Sequence, residues 1–570
     1  MAKKIVIIGG VATGPKAAAR ARRLDPRAEI TIVEQGEFLS YAGCGLPFYI
    51  GGEVKEHVEL MNTPVGVVRD IGFFKNVKDV KVLTGTRAEL IDRTAKQVHV
   101  TNLVTGEESV LPYDKLVLAT GSTPVRPPIP GLDLKNVFTL GNMGDALAIR
   151  AAIVSGDVRK LTIIGGGMIG LELADALRER EGLKVEVSVV ELLEHVLPGL
   201  LDADMASLVE KHLKQKGVKL YTLEKVQRLE GEDGIVRHVV TDKRTIDADL
   251  VVIAAGVRPN VELAVKAGLA IGETGAIKVN EYLQTSDPDI YAGGDCAENL
   301  NLVSCRPVYT PLGSVANRHG RVIGDNVSGG RDTFPGVLGT GILRVFDFTV
   351  AGTGLTEKEA KRLGYQAVSI IVPAPDRAHF FAGSKPVIIK LIACAKTRKL
   401  LGAQIVGPGD VNKRIDAVAA ALTMGATVDQ SAIFDLAYAP PFSTAMDPLA
   451  HAANSLRNKL NGLAKCINPL DLKGKLDRGE DFILLDVRTP KEFQEVRLPY
   501  KNTVFIPLGK LRERSVELPK EKEIITFCKV SLRGYEAQLI LEGLGFTNVW
   551  FLEGGIVAWP FELDTSPLPS

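Results

Sequence analysis

The sequence predicts a multidomain α/β protein on three observations. A strand–glycine loop–helix–strand unit opens the chain and is repeated once. The glycine loops then give way to a mixed strand and helix pattern. A fresh α/β pattern begins near residue 470. The first unit reads as strand Lys4–Ile8, a helix through 15–24 and strand Glu29–Val33. The second reads as strand Lys160–Ile164, a helix over 168–180 and strand Val185–Val190, with 156 residues between Gly9 and Gly165. Near-continuous β-branched runs of this kind suit parallel strands buried on both faces. Between about 331 and 450 the pattern fits an α+β domain. The stretch 446–469, with Pro448, Asn461, Gly462 and Pro469, reads as a short helix within a linker. The runs 482–485, 523–527 and 549–552 then define a separate small domain ending near Trp559.

Bulk properties fit this organisation. The chain has 570 residues, which suggests roughly three to five domains. It is 45% hydrophobic and 24% charged, ordinary for a globular protein. A net charge of +1 gives no field to recruit nucleic acid or an anionic membrane. No apolar run is long enough for a membrane span, and the N-terminus lacks the pattern of a signal peptide. A cytoplasmic location is expected. The cysteines are Cys44, Cys296, Cys305, Cys394, Cys466 and Cys528. None forms a CxxC pair, so neither a disulfide framework nor a zinc site is expected. Any cysteine that matters should matter as a thiol, and a buried structural thiol is the default for Cys296, Cys305, Cys394 and Cys466.

The glycine loops carry the first chemical signal. Gly9-Gly10-Val11-Ala12-Thr13-Gly14 keeps the outer glycines of GxGxxG, and Glu34 follows 20 residues after Gly14. Gly165-Gly166-Gly167-Met168-Ile169-Gly170 is a full match, and Glu191 follows 21 residues after Gly170. Such a loop lets a pyrophosphate approach a helix N-terminus, and the carboxylate can accept from a ribose hydroxyl. One such turn alone is common; two, each with its carboxylate, point to two Rossmann-like dinucleotide-binding domains. Glu191 disfavours a 2′-phosphate by charge, so NADH is preferred, with NADPH as the other candidate.

Leu116–Ser122, containing Ala119-Thr120-Gly121, and Ile290–Asp295, containing Gly294-Asp295, resemble the ATG and GD motifs of two-dinucleotide-binding flavoproteins. Pro311–Asn317 resembles that family's segment near the flavin ring. The resemblance implies FAD at the first loop, with contacts at Gly9, Val11, Ala12, Gly14, Glu34, Gln35, Ser40, Ala119, Thr120, Gly121, Gly294, Asp295, Leu312, Gly313 and Ala316. It implies NAD(H) at Gly165, Gly167, Met168, Ile169, Gly170 and Glu191. The FAD domain is then discontinuous, 1–121 and 246–330, around an NAD domain at 122–245. A dimerisation domain at 331–450, a linker at 451–469 and a last domain at 470–570 follow.

Ser40-Tyr41-Ala42-Gly43-Cys44-Gly45-Leu46-Pro47 places a thiol ahead of a helix start. The helix dipole there is expected to lower the thiol pKa; a buried, inert cysteine is the alternative. The stretch 1–450 resembles the single-cysteine flavin disulfide reductases, above all coenzyme A-disulfide reductase, whose SxxxCGxP motif is intact at Ser40, Cys44, Gly45 and Pro47. That resemblance implies a Cys44 beside the flavin that forms a mixed disulfide with coenzyme A. Relatives of the glutathione reductase type use CxxxxC; here Tyr49 holds the second position, so the partner sulfur must come from substrate. NADH peroxidases carry a histidine in the first loop where this chain has Ala12. Coenzyme A-disulfide reductases bring two tyrosines from the partner subunit. Tyr438 matches one, while the other falls at Phe380 or Phe381. Arg23 matches a family residue near the coenzyme A nucleotide, with a solvated arginine as the other reading. A homodimer is implied.

Cys528-Lys529-Val530-Ser531-Leu532-Arg533 lies between an apolar strand and a helix, where backbone N–H groups and the Arg533 charge favour a thiolate or persulfide anion. With 485–488, Glu492-Phe493, 552–555 and Ala558-Trp559, the domain resembles rhodaneses; the six-residue length of the loop resembles sulfur transferases, whereas the related Cys/Arg phosphatases have a seven-residue one. The usual segment before the loop is degraded to Val496–Lys501. The combined expectation is an NADH- and FAD-dependent enzyme that reduces sulfur–sulfur bonds of coenzyme A persulfide, polysulfide or coenzyme A disulfide at Cys44. Cys528 would handle sulfane sulfur, and sulfide would be released. An NADH oxidase or peroxidase with a passenger rhodanese, and a low-turnover sulfur carrier or redox sensor, are the other readings.

Overall fold

The computed structural model describes residues 2–156, 158–178 and 185–567. It forms two compact units, Met1–Glu194 with Val218–Val337, and His195–Gly217 with Leu338–Ser570.

The first unit holds two five-stranded parallel sheets. One has the order Ile290–Ala292, Lys115–Leu118, Lys4–Ile8, Glu29–Val33, Lys81–Leu83. The other has the order Lys219–Tyr221, Glu186–Val190, Lys160–Ile164, Leu250–Ile253, Val137–Thr139. All strands of the second sheet lie, in sequence, between Lys115–Leu118 and Ile290–Ala292 of the first. The antiparallel pair Ser122–Pro124 and Val257–Pro259 joins the two crossings. The repeat is exact in register: Ile5, Ile7 and Ile8 pair with Ile30, Ile32 and Val33, as Leu161, Ile163 and Ile164 pair with Val187, Val189 and Val190. These side chains are buried on both faces: Ile5, Ile7 and Ile32 cluster with Ala17 and Ala18 of the following helix, whereas Ile8 and Val33, like Ile164 and Val190, cluster with residues of three-stranded antiparallel sheets such as Val98 and Val239. The helices after the two glycine loops are Thr13–Leu24 and Met168–Arg178; positions 179–180 of the expected second helix lie outside the described residues.

The second unit contains an antiparallel sheet ordered Gly341–Val345, Phe348–Gly354, Leu400–Gly407, Pro386–Cys394, Ala367–Pro375. It also contains a parallel sheet ordered Cys466–Ile467, Val549–Leu552, Ile524–Phe527, Ile483–Asp486, Thr503–Phe505. Trp559, Phe482 and Phe527 fill one face of the latter. This is the α/β class expected from the sequence: two Rossmann-like domains, an α+β domain and a C-terminal α/β domain. Among the described residues no helix is long and apolar enough to cross a membrane.

One expectation is corrected. The stretch read as a linker holds most of the helix Pro448–Leu460. Its buried face, Leu449, Ala452, Ala453 and Leu456, packs on strand Ala367–Pro375. Asp447 caps it by accepting from Leu449 N–H at 2.9 Å and pairs with buried Arg414 at 3.0 Å. It is part of the α+β core, not a tether.

Helix Ala203–Gln215 is fastened to the antiparallel sheet by a buried ammonium. Lys390 Nζ lies 2.7 Å from Asp204, 3.0 Å from Glu357 and 3.2 Å from Asp202. Burial alone would lower the Lys390 pKa, but the three carboxylates win and hold it above its ordinary value. Asp202 also accepts from the N–H groups of Glu357 and Lys358 and from Gln404 Nε2. Removing the cation strands buried carboxylates, which costs about 3–5 kcal/mol. Lys390→Met is therefore expected to lower the thermal unfolding midpoint of this unit by several degrees in calorimetry. An unchanged midpoint would contradict a stabilising role for the cluster.

Candidate active site

The two glycine loops are built the same way. Gly9 has φ +113 and Gly165 φ +116, backbone that glycine adopts without strain. A Cβ on Gly14 would sit 1.9 Å from the Gly9 carbonyl oxygen, and one on Gly170 would sit 2.2 Å from that of Gly165. Helix and strand therefore meet backbone to backbone at both loops. Glu34 reaches back and accepts from Gly10 N–H at 2.6 Å and Gly36 N–H at 2.7 Å. Glu191 accepts from Gly166 N–H at 2.6 Å and Leu193 N–H at 2.8 Å. Both predicted carboxylates thus sit at their loops, oriented by backbone donors. Val11 and Ala12 are half-buried at the start of helix Thr13–Leu24, whose first turn has no side-chain cap, so its N–H groups remain available to an anion. Gln35 is exposed, Gly167 faces open space, and Met168 and Ile169 start their helix with Ile169 exposed.

The GD and ATG segments converge with the first loop. Thr13 Oγ1 donates to Ala316 O at 3.0 Å, and a Cβ on Gly294 would meet Thr13 Oγ1 at 2.5 Å. Ala119 N–H donates to Ile8 O, setting Ala119 beside Gly9, and Thr120 and Gly121 are tied to Asn260. Asp295 accepts from Ser122 Oγ at 3.0 Å. Burial pushes the Asp295 pKa up, against the Ser122 hydrogen bond. A half-buried carboxylate with one side-chain donor among the described residues is suited to further hydroxyl donors. Leu312 and Gly313 start the helix Gly313–Val327, again without a side-chain cap. These cradles, uncapped helix starts and acceptor carboxylates fit a pair of dinucleotides.

His319 is a site residue that sequence reasoning missed. It is fully buried on the helix Gly313–Val327, and its Nδ1 accepts from Gly294 N–H at 3.0 Å. Burial first, then Arg318, lowers its pKa to about 3, so the ring is neutral. Its only signal was a histidine on an otherwise apolar helix face.

Cys44 lies in the turn Gly43–Gly45, ahead of the short helix Leu46–Gly51 that begins around Pro47. Ser40, four residues earlier, is buried at φ +48 and donates its N–H to Gly10 O at 2.8 Å. The thiol-bearing turn therefore hangs from the first glycine loop. A Cβ on Gly313 would lie 3.5 Å from Cys44 Sγ, so the thiol faces the start of helix Gly313–Val327. The expected lowering of the thiol pKa is corrected. Cys44 opens to solvent on one side, but loss of water on the other pushes its pKa up. The charges of Glu172 and then Asp295 add to that rise, and the Gly313 N–H opposes it. Sequence spacing exposes the dipole of the following helix, not a carboxylate brought in from the helix Met168–Arg178.

In the second unit, Tyr438 is 51% exposed, Phe380 72% and Phe381 39%. Their two loops are joined by Ala378 N–H donating to Pro440 O at 3.3 Å. These aromatic side chains face outward. Arg23 is exposed, whereas its neighbours Arg20 and Arg22 are engaged by Asp325 and by the carbonyls of Pro26 and Asp79.

Cys528 is fully buried at the end of strand Ile524–Phe527. The Cys528–Arg533 loop is held from behind by the segment after Glu553. Ile556 N–H donates to Cys528 O at 3.0 Å, Val557 N–H to Lys529 O at 3.1 Å, and Gly554 N–H to Ser531 Oγ at 2.7 Å. Ser531 has φ +97, a strained position for a non-glycine residue and one that concentrates at functional loops. The fixed positive charge expected on Arg533 stands beside Cys528 and is shared with a carboxylate. Its guanidinium is clamped bidentately by Glu492, at 2.7 and 2.8 Å. Glu492 in turn closes a capping box with Thr489, and Arg533 first, then Thr489, holds its pKa down at about 2 against burial. Buried Arg488 pairs with Asp486 at 2.7 Å and donates to Val496 O at 2.6 Å. The degraded Val496–Lys501 segment is thus still anchored. Of the other cysteines, Cys296, Cys394 and Cys466 are buried, but Cys305 is exposed at φ +54, which corrects the default for that residue.

Removing the Glu172 charge favours the Cys44 thiolate and lowers its pKa. Glu172→Gln is expected to speed alkylation of Cys44 by iodoacetamide about three- to tenfold at neutral pH and to shift the pH–rate profile toward acid. A profile superimposable on the parent would contradict an electrostatic contact between the two side chains.

Comparisons with known proteins agree with this architecture. Residues 3–311 match the pyridine nucleotide-disulphide oxidoreductase family, 342–450 the dimerisation domain of that family, and 468–561 the rhodanese-like domain. The chain is 38% identical over 460 residues to the NAD(P)H coenzyme A polysulfide/persulfide reductase of Pyrococcus horikoshii, covering 80% of this chain and 99% of that one. It is 46% identical to a solved NAD-dependent persulfide reductase from A. fulgidus, with a TM-score of 0.93 over 98% of this chain and 100% of that one. It is 37% identical to the crystal structure of reduced Bacillus anthracis CoADR-RHD, with a TM-score of 0.90 over 98% of each chain. The chain therefore belongs to the pyridine nucleotide-disulphide oxidoreductase family, with that family's dimerisation domain and a rhodanese-like domain in the same polypeptide.

Proposed function

We propose that this chain is an FAD-dependent NAD(P)H reductase of sulfur–sulfur bonds in coenzyme A persulfide, polysulfide or coenzyme A disulfide, with sulfane-sulfur transfer through Cys528. The observation that carries the reading is the pairing of one lone thiol, Cys44, at a double-dinucleotide site with a second thiol, Cys528, in a sulfur-transfer loop. The named relatives act on the same class of substrate.

When bound, FAD and NAD(P)H supply the electron pair. Residues 1–121 and 246–330 would hold FAD and 122–245 NAD(P)H. Glu191, a buried carboxylate fixed by two amides, favours NADH over NADPH. The Cys44 thiolate attacks the carbon-bound sulfur of a persulfide RS–SH. That sulfur–sulfur bond breaks, hydrosulfide leaves, and Cys44–S–S–R remains. An electron pair and a proton then cleave the mixed disulfide to the Cys44 thiolate and RSH. Gly313 N–H stabilises the thiolate each time it forms, whereas Glu172 and Asp295 oppose it. The exposed Tyr438 of a second copy would complete the site in a homodimer. Phe380 and Phe381 carry no hydroxyl that could protonate a departing coenzyme A thiolate, which favours persulfide or polysulfide over coenzyme A disulfide.

Anaerobic rapid mixing of the NADH-reduced enzyme with coenzyme A persulfide, polysulfide, coenzyme A disulfide and peroxide tests the reading. Reoxidation is expected to be fastest with persulfide or polysulfide and lost in Cys44→Ser. Fast reoxidation by peroxide or oxygen alone would overturn it, as would unchanged sulfide release by Cys44→Ser.

A further inference from the structure

The Glu492–Arg533 clamp bears on which sulfur donor the Cys528 loop accepts. We infer that Glu492 makes this loop selective for organic persulfides over doubly charged inorganic donors such as thiosulfate. The inference rests on the sulfur-transfer reading of Cys528 and deepens it.

A thiosulfate dianion brings two negative charges to the thiol. The loop contains two cations, Lys529 and Arg533. Arg533 Nη1 and Nη2 each give an N–H to Glu492, at 2.8 and 2.7 Å, so the guanidinium that faces Cys528 is shared with a carboxylate. That carboxylate cannot swing away cheaply, because Thr489 N–H and Oγ1 donate to it at 3.0 and 2.8 Å. It stays ionised, held at about 2 by Arg533 first. The clamp is thus a fixed negative charge beside the loop's cation, a repulsive element against a dianion. Lys529, the other cation, is an exposed ammonium on a flexible stem. The rest of the loop offers apolar surface: Val530 is half-buried and Leu532 is 62% exposed. An alkyl chain on sulfur can cover such surface and gain from its removal from water; thiosulfate cannot.

The transfer balances without a reductant. The Cys528 thiolate attacks the outer sulfur of RS–SH, the RS–S bond breaks, Cys528–S–SH forms, and RS⁻ leaves to take up a proton. With thiosulfate the same attack would expel sulfite.

The test uses the full chain carrying Cys44→Ser, so that sulfur gained at Cys528 is read in isolation by intact mass and cyanide-labile sulfur. Propyl persulfide, with an uncharged alkyl chain, and thiosulfate are the probes. Loading from the persulfide is expected to be faster, and Glu492→Gln should cut the persulfide-to-thiosulfate rate ratio about tenfold by raising the thiosulfate rate. Leu532→Ser, at an exposed position, should slow persulfide loading several-fold and leave thiosulfate loading unchanged; it decides the matter alone if Glu492→Gln does not fold. A ratio unchanged in both variants, or thiosulfate loading as fast as persulfide in the parent, would overturn the selectivity while leaving sulfur transfer intact. Absence of sulfur on Cys528 from either donor would overturn both.

Discussion

The hydrogen bond from Gly10 N–H to Glu34, 2.6 Å long, is the contact on which the reductase site depends. It closes the first glycine loop from the end of the second strand. The other side of the same residue, Gly10 O, receives Ser40 N–H and so suspends the turn that bears Cys44. Gly14 can lie against Gly9 O because neither carries a Cβ. Strand, helix start and thiol are therefore placed by one short run of backbone. The second loop repeats the device with Glu191 and Gly166, without a cysteine hung from it. One copy of the unit became a thiol-bearing site and the other did not, and the difference lies in the chain after the second strand.

The two thiols sit in different electrostatic settings. Cys44 faces one amide, Gly313, and two carboxylates, so it starts from a disfavoured thiolate. The raised pKa lowers the fraction of thiolate, while each thiolate that forms is the stronger nucleophile. Cys528 is enclosed by a loop whose carbonyls are tied down by Ile556 and Val557 and whose arginine is neutralised by Glu492. Its surroundings are closer to neutral than the loop's two cations alone suggest. Behind that loop, Glu553 accepts from Lys459 at 2.5 Å, Cys466 at 2.9 Å and Ile371 N–H at 3.1 Å. The segment bracing Cys528 is thereby bonded to the helix Pro448–Leu460 and to the antiparallel sheet.

Much of this was legible in the sequence because it is local. The glycine spacing, the β-branched runs of strands such as Lys4–Ile8 and Lys160–Ile164, and the strand–cysteine–helix order at 524–543 each follow from a few consecutive residues. What stayed hidden comes from distant parts of the chain. Glu172 acts on Cys44 from another glycine-loop helix, and His319 fixes Gly294 across a buried crossing. The clamp on Arg533 was half visible, since Glu492 was already singled out, but its geometry depends on the anchoring of the helix Pro490–Glu495 by buried Arg488. The helix Pro448–Leu460 read as a linker because its flanking prolines and Gly462 look like punctuation. Only the sheet it covers reveals its role in the core.

The central claim is that Cys44 takes up the carrier thiol itself. Mapping cysteine adducts by mass spectrometry, after the reduced chain meets a single equivalent of coenzyme A persulfide without NADH, tests it most directly. The account predicts coenzyme A disulfide-linked to the peptide containing Cys44, with hydrosulfide released in step. An unmodified Cys44, or a lone added sulfur there with coenzyme A left free, would contradict it.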